Sequence, residues 1–451
     1  MRIRLDSIGC RLNIGEIEAM ARRFAAGGHQ IVAQGDLTDL CVLNTCTVTA
    51  TASSKSRQFI RQLRRHNPRA KIVVTGCLAE LEAASLETLG VDLVVGNDDK
   101  DSLPEILEKR GVLEPNPDDG SMSGPTAPLP AERTRAFLKV QDGCDNKCTF
   151  CVVTIARGSG RSVAAGEIIT EVRNLDALGY REVVLSGVHL GSYGHDLGLS
   201  RGLEDLVRRI LGETEIQRLR LSSLEPWDLD ARFFEIFRNP RLLPHVHLPL
   251  QSGCDATLAR MARKTTVRGF ADLVESARDV VSDISISTDI MVGFPGETEE
   301  EFAESIAAVE DIAFSRLHIF RYSRREGTRA AGLPNQIPGP VAQDRSRRLH
   351  EIGQQLMSAF HERFLDRHLQ VLWENAEAHG SDLRWSGLTD NYIRVLTETG
   401  ADTDLTNEIS EIKLEACVPG AVLGSIPGVS RSPFVGESRR ESSGLPMVGG
   451  K

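Results

Sequence analysis

Nine cysteines occur in the 451-residue chain, and three of them fall in one short stretch, QDGCDNKCTFC, as Cys144, Cys148 and Cys151. The spacing is C-x3-C-x2-C. At this cysteine frequency such a cluster arises by chance roughly a few times in a thousand chains, so it signals metal chemistry. Tetrahedral zinc would need a fourth Cys or His. Neither residue occurs elsewhere in the loop or within a dozen positions of it. An iron–sulfur cluster held by three thiolates leaves one iron with an open coordination site, which a small molecule could occupy through amine and carboxylate groups. By ligand count, the open cluster is favoured over zinc.

Three further cysteines, Cys10 in SIGC, Cys46 in NTCTVT and Cys77 in TGC, lie at or just past the ends of strand-like runs. Open α/β sheets bind ligands at the C-terminal ends of their strands. Taken alone, widely separated cysteines of this kind read as small buried hydrophobes. Cys41 lies within a strand run and Cys417 in a β-rich segment, and both are expected in cores. Cys254, in HLPLQSGCD, sits at a strand end near the expected site and is not assigned as a ligand.

The elements that must position these thiols follow from periodicity. The expected fold class is α/β. Residues 1–111 alternate strand and helix signals, the rhythm of a parallel sheet flanked by helices. Residues 112–132 are rich in Pro, Gly, Asp and Ser and read as a linker. Residues 133–366 carry six strand signals with intervening helices, a partial or full (β/α)6-type parallel barrel with its chemistry at the strand C-termini. Residues 367–429 read as a small antiparallel barrel, and 430–451 as a disordered tail.

The CDNKCTFC loop after the first strand of a βα domain resembles the radical S-adenosylmethionine superfamily. Together with Cys10, Cys46 and Cys77, the chain resembles its methylthiotransferase family from residue 1 to about 428. The resemblance implies two 4Fe–4S clusters, one on Cys144, Cys148 and Cys151 and an auxiliary one on Cys10, Cys46 and Cys77, where the sulfur to be inserted is held. It implies S-adenosylmethionine as the second cofactor. By the same resemblance its pocket is assigned to Phe150, Arg161, Gly187, Ser223, Glu225, Gln251, Asp289, Met291, Val292 and Gly293. Arginine suits a methionine carboxylate, and glycine permits close backbone approach. QDGC, LQSGCD and YSRREGT (322–328) are most similar to the branch that modifies N6-threonylcarbamoyladenosine beside the tRNA anticodon. The C-terminal barrel resembles the RNA-binding TRAM domain, with GLTDNYIRV as its clearest segment. Two positions depart from the family pattern: Thr154 after the cysteine loop, where proline is common, and Thr265 in MARKTT, where an aromatic is common.

Net charge is −10, sequence pI is about 5.7 and aromatics are only 5%, so the chain as a whole does not coat nucleic acid. RNA contact must come from local patches. Arg57, Arg61, Arg64 and Arg65 on one helix face are one candidate, and Arg321, Arg324 and Arg325 a second. A solvated basic face is the competing reading of the first. No apolar run reaches the roughly 20 residues that span a bilayer, and the N-terminus lacks a signal-peptide pattern, so a cytoplasmic location is expected; the chain is expected to be a monomer. The resemblance further implies a tRNA substrate and an electron donor such as a flavodoxin or ferredoxin. Three rivals remain: isopentenyladenosine in tRNA as substrate, a ribosomal-protein side chain as substrate, and a non-catalytic iron–sulfur RNA-binding sensor.

Overall fold

The computed structural model describes residues 1–113 and 134–427. The linker expected over 112–132, apart from its first two residues, and the tail expected over 430–451 lie outside the described residues. The chain divides into two units, Met1–Met357 and Ser358–Lys451.

The first unit begins with five parallel strands: β1 (Arg2–Ser7), β2 (Gln30–Ile31), β3 (Leu40–Thr45), β4 (Lys71–Gly76) and β5 (Leu93–Val94), in the order β2-β1-β3-β4-β5. Side chains of β3 alternate between two cores, as strand geometry requires. Leu40 and Val42 pack with Ile3, Met20 and Phe24 on one face. Cys41 and Leu43 pack with Ile60, Leu63 and Leu78 on the other. Cys41 is therefore a core residue. Helices α1 (Arg11–Ala26), α2 (Ala50–His66), α3 (Cys77–Glu87) and α4 (Leu103–Lys109) cover the sheet.

Strands β6 (Arg135–Lys139), β9 (Glu182–Ser186) and β10 (Arg218–Leu221) form a second parallel sheet, and a two-residue hairpin, β7 (Gln141–Asp142) with β8 (Arg161–Ser162), follows β6. Strands β11 (His245–His247), β12 (Ser285–Val292) and β13 (Arg316–Arg321) form a third parallel sheet. Parallel bridges Leu219↔Leu242 and Ser223↔His247 join the two. The six strands thus make a partial barrel, open between β6 and β13 among the described residues. An apolar core joins one face of these strands, with Leu138, Val183, Leu219, Val246, Ile290 and Val292, to the helices packed on it, with Val172, Leu206, Phe270 and Phe302.

An open edge invites pairing and must be covered. Here α1 lies against β6, and Gly15 makes that approach possible: a Cβ there would stand 2.3 Å from the Phe137 carbonyl oxygen. At the same sheet, Glu182 is fully buried between Arg218 (3.1 Å) and Arg220 (2.7 Å). Burial alone would raise its pKa, yet the two guanidiniums hold it down at about 2.

The second unit is a closed barrel, β14 (His368–His379), β15 (Asp382–Thr389), β16 (Arg394–Gly400), β18 (Ala421–Ser425) and β17 (Ile409–Val418), in that spatial order. Four of its pairings are antiparallel, but β16 and β18 run parallel, a departure from the all-antiparallel expectation. Trp373 and Trp385 fill its interior. Cys417 packs at the edge of that core. No described helix is long and apolar enough to cross a membrane.

Two substitutions separate packing from helix propensity. Gly15→Ala gains up to about 1 kcal/mol of helix propensity, but overpacking against Phe137 costs roughly 1–3 kcal/mol, so urea unfolding should show net destabilisation. Gly212→Ala, in a helix position with nothing within 4 Å of the new Cβ, should instead stabilise by about 0.5–1 kcal/mol. The Glu182 contribution is complete above the ordinary value of 4.5 and is lost as pH falls from there toward about 2. Glu182→Gln should lower stability at neutral pH and flatten that acid limb in urea midpoints measured against pH.

Candidate cluster and cofactor site

Gly143 opens the cysteine loop at φ +70°, and a Cβ would meet the Ser159 carbonyl oxygen at 1.9 Å, so only glycine allows the turn. The loop is then pinned by its backbone. Cys144 N donates to Gly158 O (3.0 Å), Thr149 N to Met261 O (3.0 Å), and Ala330 N to Thr149 O (2.8 Å). Two backbone amides point at sulfur: Asn146 N to Cys144 Sγ and Val153 N to Cys151 Sγ, each 3.4 Å. Donors aimed at sulfur favour thiolates. The three cysteines line a cavity of about 430 Å³ whose other wall includes Thr154, Ile155, Gly327, Thr328 and Arg329. Burial pushes the Cys148 thiol up and the Cys151 thiol to about 12. These groups stay protonated without metal, so metal uptake must release protons.

The second thiol set forms at the ends of β1, β3 and β4. Cys46 follows Thr45 directly, and Cys77 begins α3. Gly9, at φ +129°, lets the Cys10 loop close on Cys46: a Cβ there would be 2.6 Å from Cys46 Cβ. Burial pushes Cys46 up to about 11, and the neighbouring Cys10 and Cys77 thiols act in the same direction. Among the described residues, no three Cys, His, Asp or Glu side chains surround a single-ion position. A cluster makes a different demand: its thiolates bind separate irons and need not converge on one point. In each set the thiols are close enough to act on one another electrostatically, as the ligands of one cluster would be.

The remaining expected site residues divide into groups. Phe150 and Met291 pack with Tyr322 around Met261, Phe294 and Ala330. Glu225 pairs with Arg263 (2.6 Å). Gln251 adopts φ +77°, a strained value for a non-glycine residue, while its backbone bonds Asp289 O and Met291 N at 2.8 Å each. Asp289 receives His247 Nε2 at 3.2 Å; burial opposes its charge, yet the two imidazoles of His247 and His318, with Arg263, lower its pKa. Ser223 bridges the backbone of His247. Gly187 leaves room for Gln141, whose Oε1 would lie 3.0 Å from an added Cβ, and Gly293, at φ +74°, for Ala342.

Two of the assigned positions stand apart. The Val292 side chain is fully buried in the apolar core between the strands and the helices, so only its backbone could face a ligand. Arg161, half-exposed on β8, pairs with Asp98 at 3.2 Å and not with the Glu225 or Asp289 groups. Gln141 and Asp142, markers of the branch in the sequence, are both buried. Gln141 donates to Asp142 O (2.9 Å) and Gly143 O (2.8 Å) and accepts from His189 N (2.9 Å). Both residues therefore act by holding the loop. Cys254 is buried at the start of helix Asp255–Arg260 with Glu304 beside its thiol, a structural position. In the basic helix face, Arg57 turns to Glu82, and Arg64 to Asp92 and Gly90 O. Only Arg61 and Arg65 stay exposed, so the four do not form one free patch. Arg325 donates to Thr47 Oγ1 (2.5 Å) and Ser53 Oγ (3.2 Å), whereas Arg321 and Arg324 have no acidic partner among the described residues.

Three residues escaped the sequence reading. Arg263, in the MARKTT segment, is buried and donates to Cys148 Sγ (3.8 Å), Glu225 and the Pro249 carbonyl, with its guanidinium over Trp227 at 4.4 Å. His189 is clamped by Asp228 against Cys144. Arg157, just past the cysteine loop, is buried among carboxylates and reaches Cys77. Nothing in periodicity marks a buried arginine; only its place in a segment flanking the cysteine loop could have raised the question. Arg263→Met leaves the Glu225 carboxylate without its cation. Denaturant unfolding of the metal-free protein should then show a loss of about 3–5 kcal/mol.

Comparison with known proteins agrees with this geometry. Residues 2–96 match the model described as uncharacterized protein family UPF0004, and residues 138–309 that of the radical SAM superfamily, whose chemistry uses a 4Fe–4S cluster and S-adenosylmethionine. The threonylcarbamoyladenosine tRNA methylthiotransferase of Bacillus subtilis is 35% identical over 91% of this chain and 93% of its own length. That of Thermotoga maritima is 36% identical over 82% of this chain and 86% of its own. The tRNA-2-methylthio-N(6)-dimethylallyladenosine synthase of Thermobifida fusca is 34% identical over 84% of this chain and 79% of its own. Among solved structures, the radical S-adenosylmethionine methyltransferase TsrM from Kitasatospora setae aligns with a TM-score of 0.52 at 16% identity, covering 73% of this chain and 76% of that one, a likeness of fold. Two thiol loops on a parallel sheet and a partial barrel, in a chain that matches these relatives over most of its length, place it in the radical S-adenosylmethionine methylthiotransferase family.

Proposed function

We propose that this chain converts N6-threonylcarbamoyladenosine beside the tRNA anticodon to its 2-methylthio derivative. The observation that carries the reading is the presence of two separate cysteine triads at strand ends within one unit, in a chain similar over most of its length to enzymes named for that modification. Cys144, Cys148 and Cys151 would hold one 4Fe–4S cluster, and Cys10, Cys46 and Cys77 the auxiliary one. When bound, these groups and S-adenosylmethionine supply reductive cleavage of the sulfonium, hydrogen-atom abstraction at adenine C2 and the sulfur to be inserted. The protein's part is to hold and orient. Arg263 fixes Glu225 beside Cys148, and the Gln251 turn fixes Asp289.

The substrate reading is supported by cations at the end of β13 and in the cavity wall. Arg321 and Arg324 at the end of β13, and Arg329 in the cavity wall, have no acidic partner among the described residues. They suit phosphates and the threonyl carboxylate, a charge that an isopentenyl group lacks. The barrel of the second unit is assigned as the RNA-binding module. Function in the cytoplasm as a monomer, with a flavodoxin or ferredoxin as electron donor, completes the reading.

Nucleoside mass spectrometry of tRNA from a deletion strain tests it. The 2-methylthio group should disappear from threonylcarbamoyladenosine alone; its loss from isopentenyladenosine instead would move the protein to the sister branch. Unchanged methylthiolation of both would favour a ribosomal-protein substrate or a sensor. In the purified protein, Cys148→Ala should abolish 5′-deoxyadenosine formation while the auxiliary cluster's absorbance persists.

A further inference from the structure

Arg157 ends helix Val153–Arg157, six residues after Cys151, and its side chain is buried. All three guanidinium nitrogens donate. Nε bonds Cys77 Sγ at 3.3 Å. Nη1 bonds Glu16 Oε1 and Asp142 Oδ1, each at 2.9 Å. Nη2 bonds Asn13 Oδ1 at 2.8 Å and Glu16 Oε2 at 3.3 Å. The partners come from both halves of the unit. Asn13 and Glu16 lie on α1, Cys77 begins α3, and Asp142 stands two residues before Cys144.

Charge neutrality does not require the bond to sulfur. Lys139 is answered by Asp101 at 2.7 Å. Glu16 lies between Arg157 and the fully buried Lys100, whose Nζ is 2.5 Å from Oε1, and Asp142 takes the remaining cationic charge. The bond to Cys77 is therefore additional, and the planar fork fixes its direction. Buried ionic groups of this kind contribute little net stability compared with an apolar core, and their best-attested use is to fix register. Here the register is that of one thiol loop against the other.

We propose that Arg157 is a positioning residue: it fixes the Cys10, Cys46 and Cys77 set against the Cys144 loop, and its N–H···S bond to Cys77 tunes the auxiliary cluster. The inference rests on the two-cluster reading above. Hydrogen bonds to cluster sulfurs stabilise the reduced form. Lysine keeps the charge but cannot reproduce the fork.

The test compares wild type, Arg157→Lys and Asp142→Asn after anaerobic reconstitution. In a background with Cys144, Cys148 and Cys151 changed to alanine, Arg157→Lys should shift the auxiliary cluster's potential negative in an EPR-monitored titration. Asp142→Asn keeps the bond to Cys77 and removes a negative charge, so it should not shift that potential negative. In the otherwise intact enzyme, both variants should raise the ratio of S-adenosylmethionine cleaved to methylthiolated product by about tenfold, the effect of roughly 1.4 kcal/mol of lost positioning. An unchanged potential and an unchanged ratio in Arg157→Lys would overturn the proposal. If that variant does not fold, the Asp142→Asn ratio decides, and a wild-type value there overturns it. Wild-type protein with about four irons per chain, and not about eight, would instead overturn the two-cluster reading on which the inference rests.

Discussion

The contact between Arg157 and the Glu16–Asp142 carboxylate pair joins the N-terminal sheet to the partial barrel. The two cysteine triads sit at the ends of strands in different sheets, and loops alone do not fix one against the other. Packing brings α1 onto the open β6 edge, where Gly15 removes the side chain that would keep it away. The buried ion group then sets the orientation. A polar contact between Asn97 Nδ2 and Ala156 O (2.6 Å) ties the same two surfaces one residue from Arg157. A third tie lies on the other side of Cys46, where Arg325 reaches Thr47 and Ser53, and Ala50 N donates to Ser323 Oγ (3.1 Å).

Around each thiol set the protein supplies opposite tendencies. Burial raises the Cys46, Cys148 and Cys151 thiols, which favours their neutral form. Amides and guanidinium groups aimed at sulfur favour the thiolate. The barrel side uses Arg263 near Cys148 and the auxiliary side uses Arg157 at Cys77. In both, an arginine that also answers carboxylates touches a triad sulfur, so charge pairing and thiol orientation are one structural feature.

Much of this was legible in the sequence, for identifiable reasons. The βα rhythm reports burial on alternating faces, and Leu40–Thr45 and Lys71–Gly76 appear as strands because both of their faces are covered. The C-x3-C-x2-C spacing is local and so visible directly. Strand β2, of two residues, is too short to show a period. The parallel β16–β18 pairing depends on barrel closure, which no local pattern encodes. The basic face of α2 looked continuous because helical spacing does not show that Glu82 and Asp92 lie opposite Arg57 and Arg64. Arg157 and Arg263 were missed for the same reason: their partners Glu16 and Glu225 are distant in sequence, and burial of a charge is decided by tertiary contacts.

The central claim is that both cysteine triads hold clusters at once in a single rigidly joined unit. Mössbauer spectroscopy with iron and sulfide analysis, on wild type and on a variant with Cys10, Cys46 and Cys77 all changed to alanine, tests it most directly. The account predicts about eight irons per chain as two 4Fe–4S clusters in the wild type, falling to about four in the variant. About four irons in both proteins would contradict it.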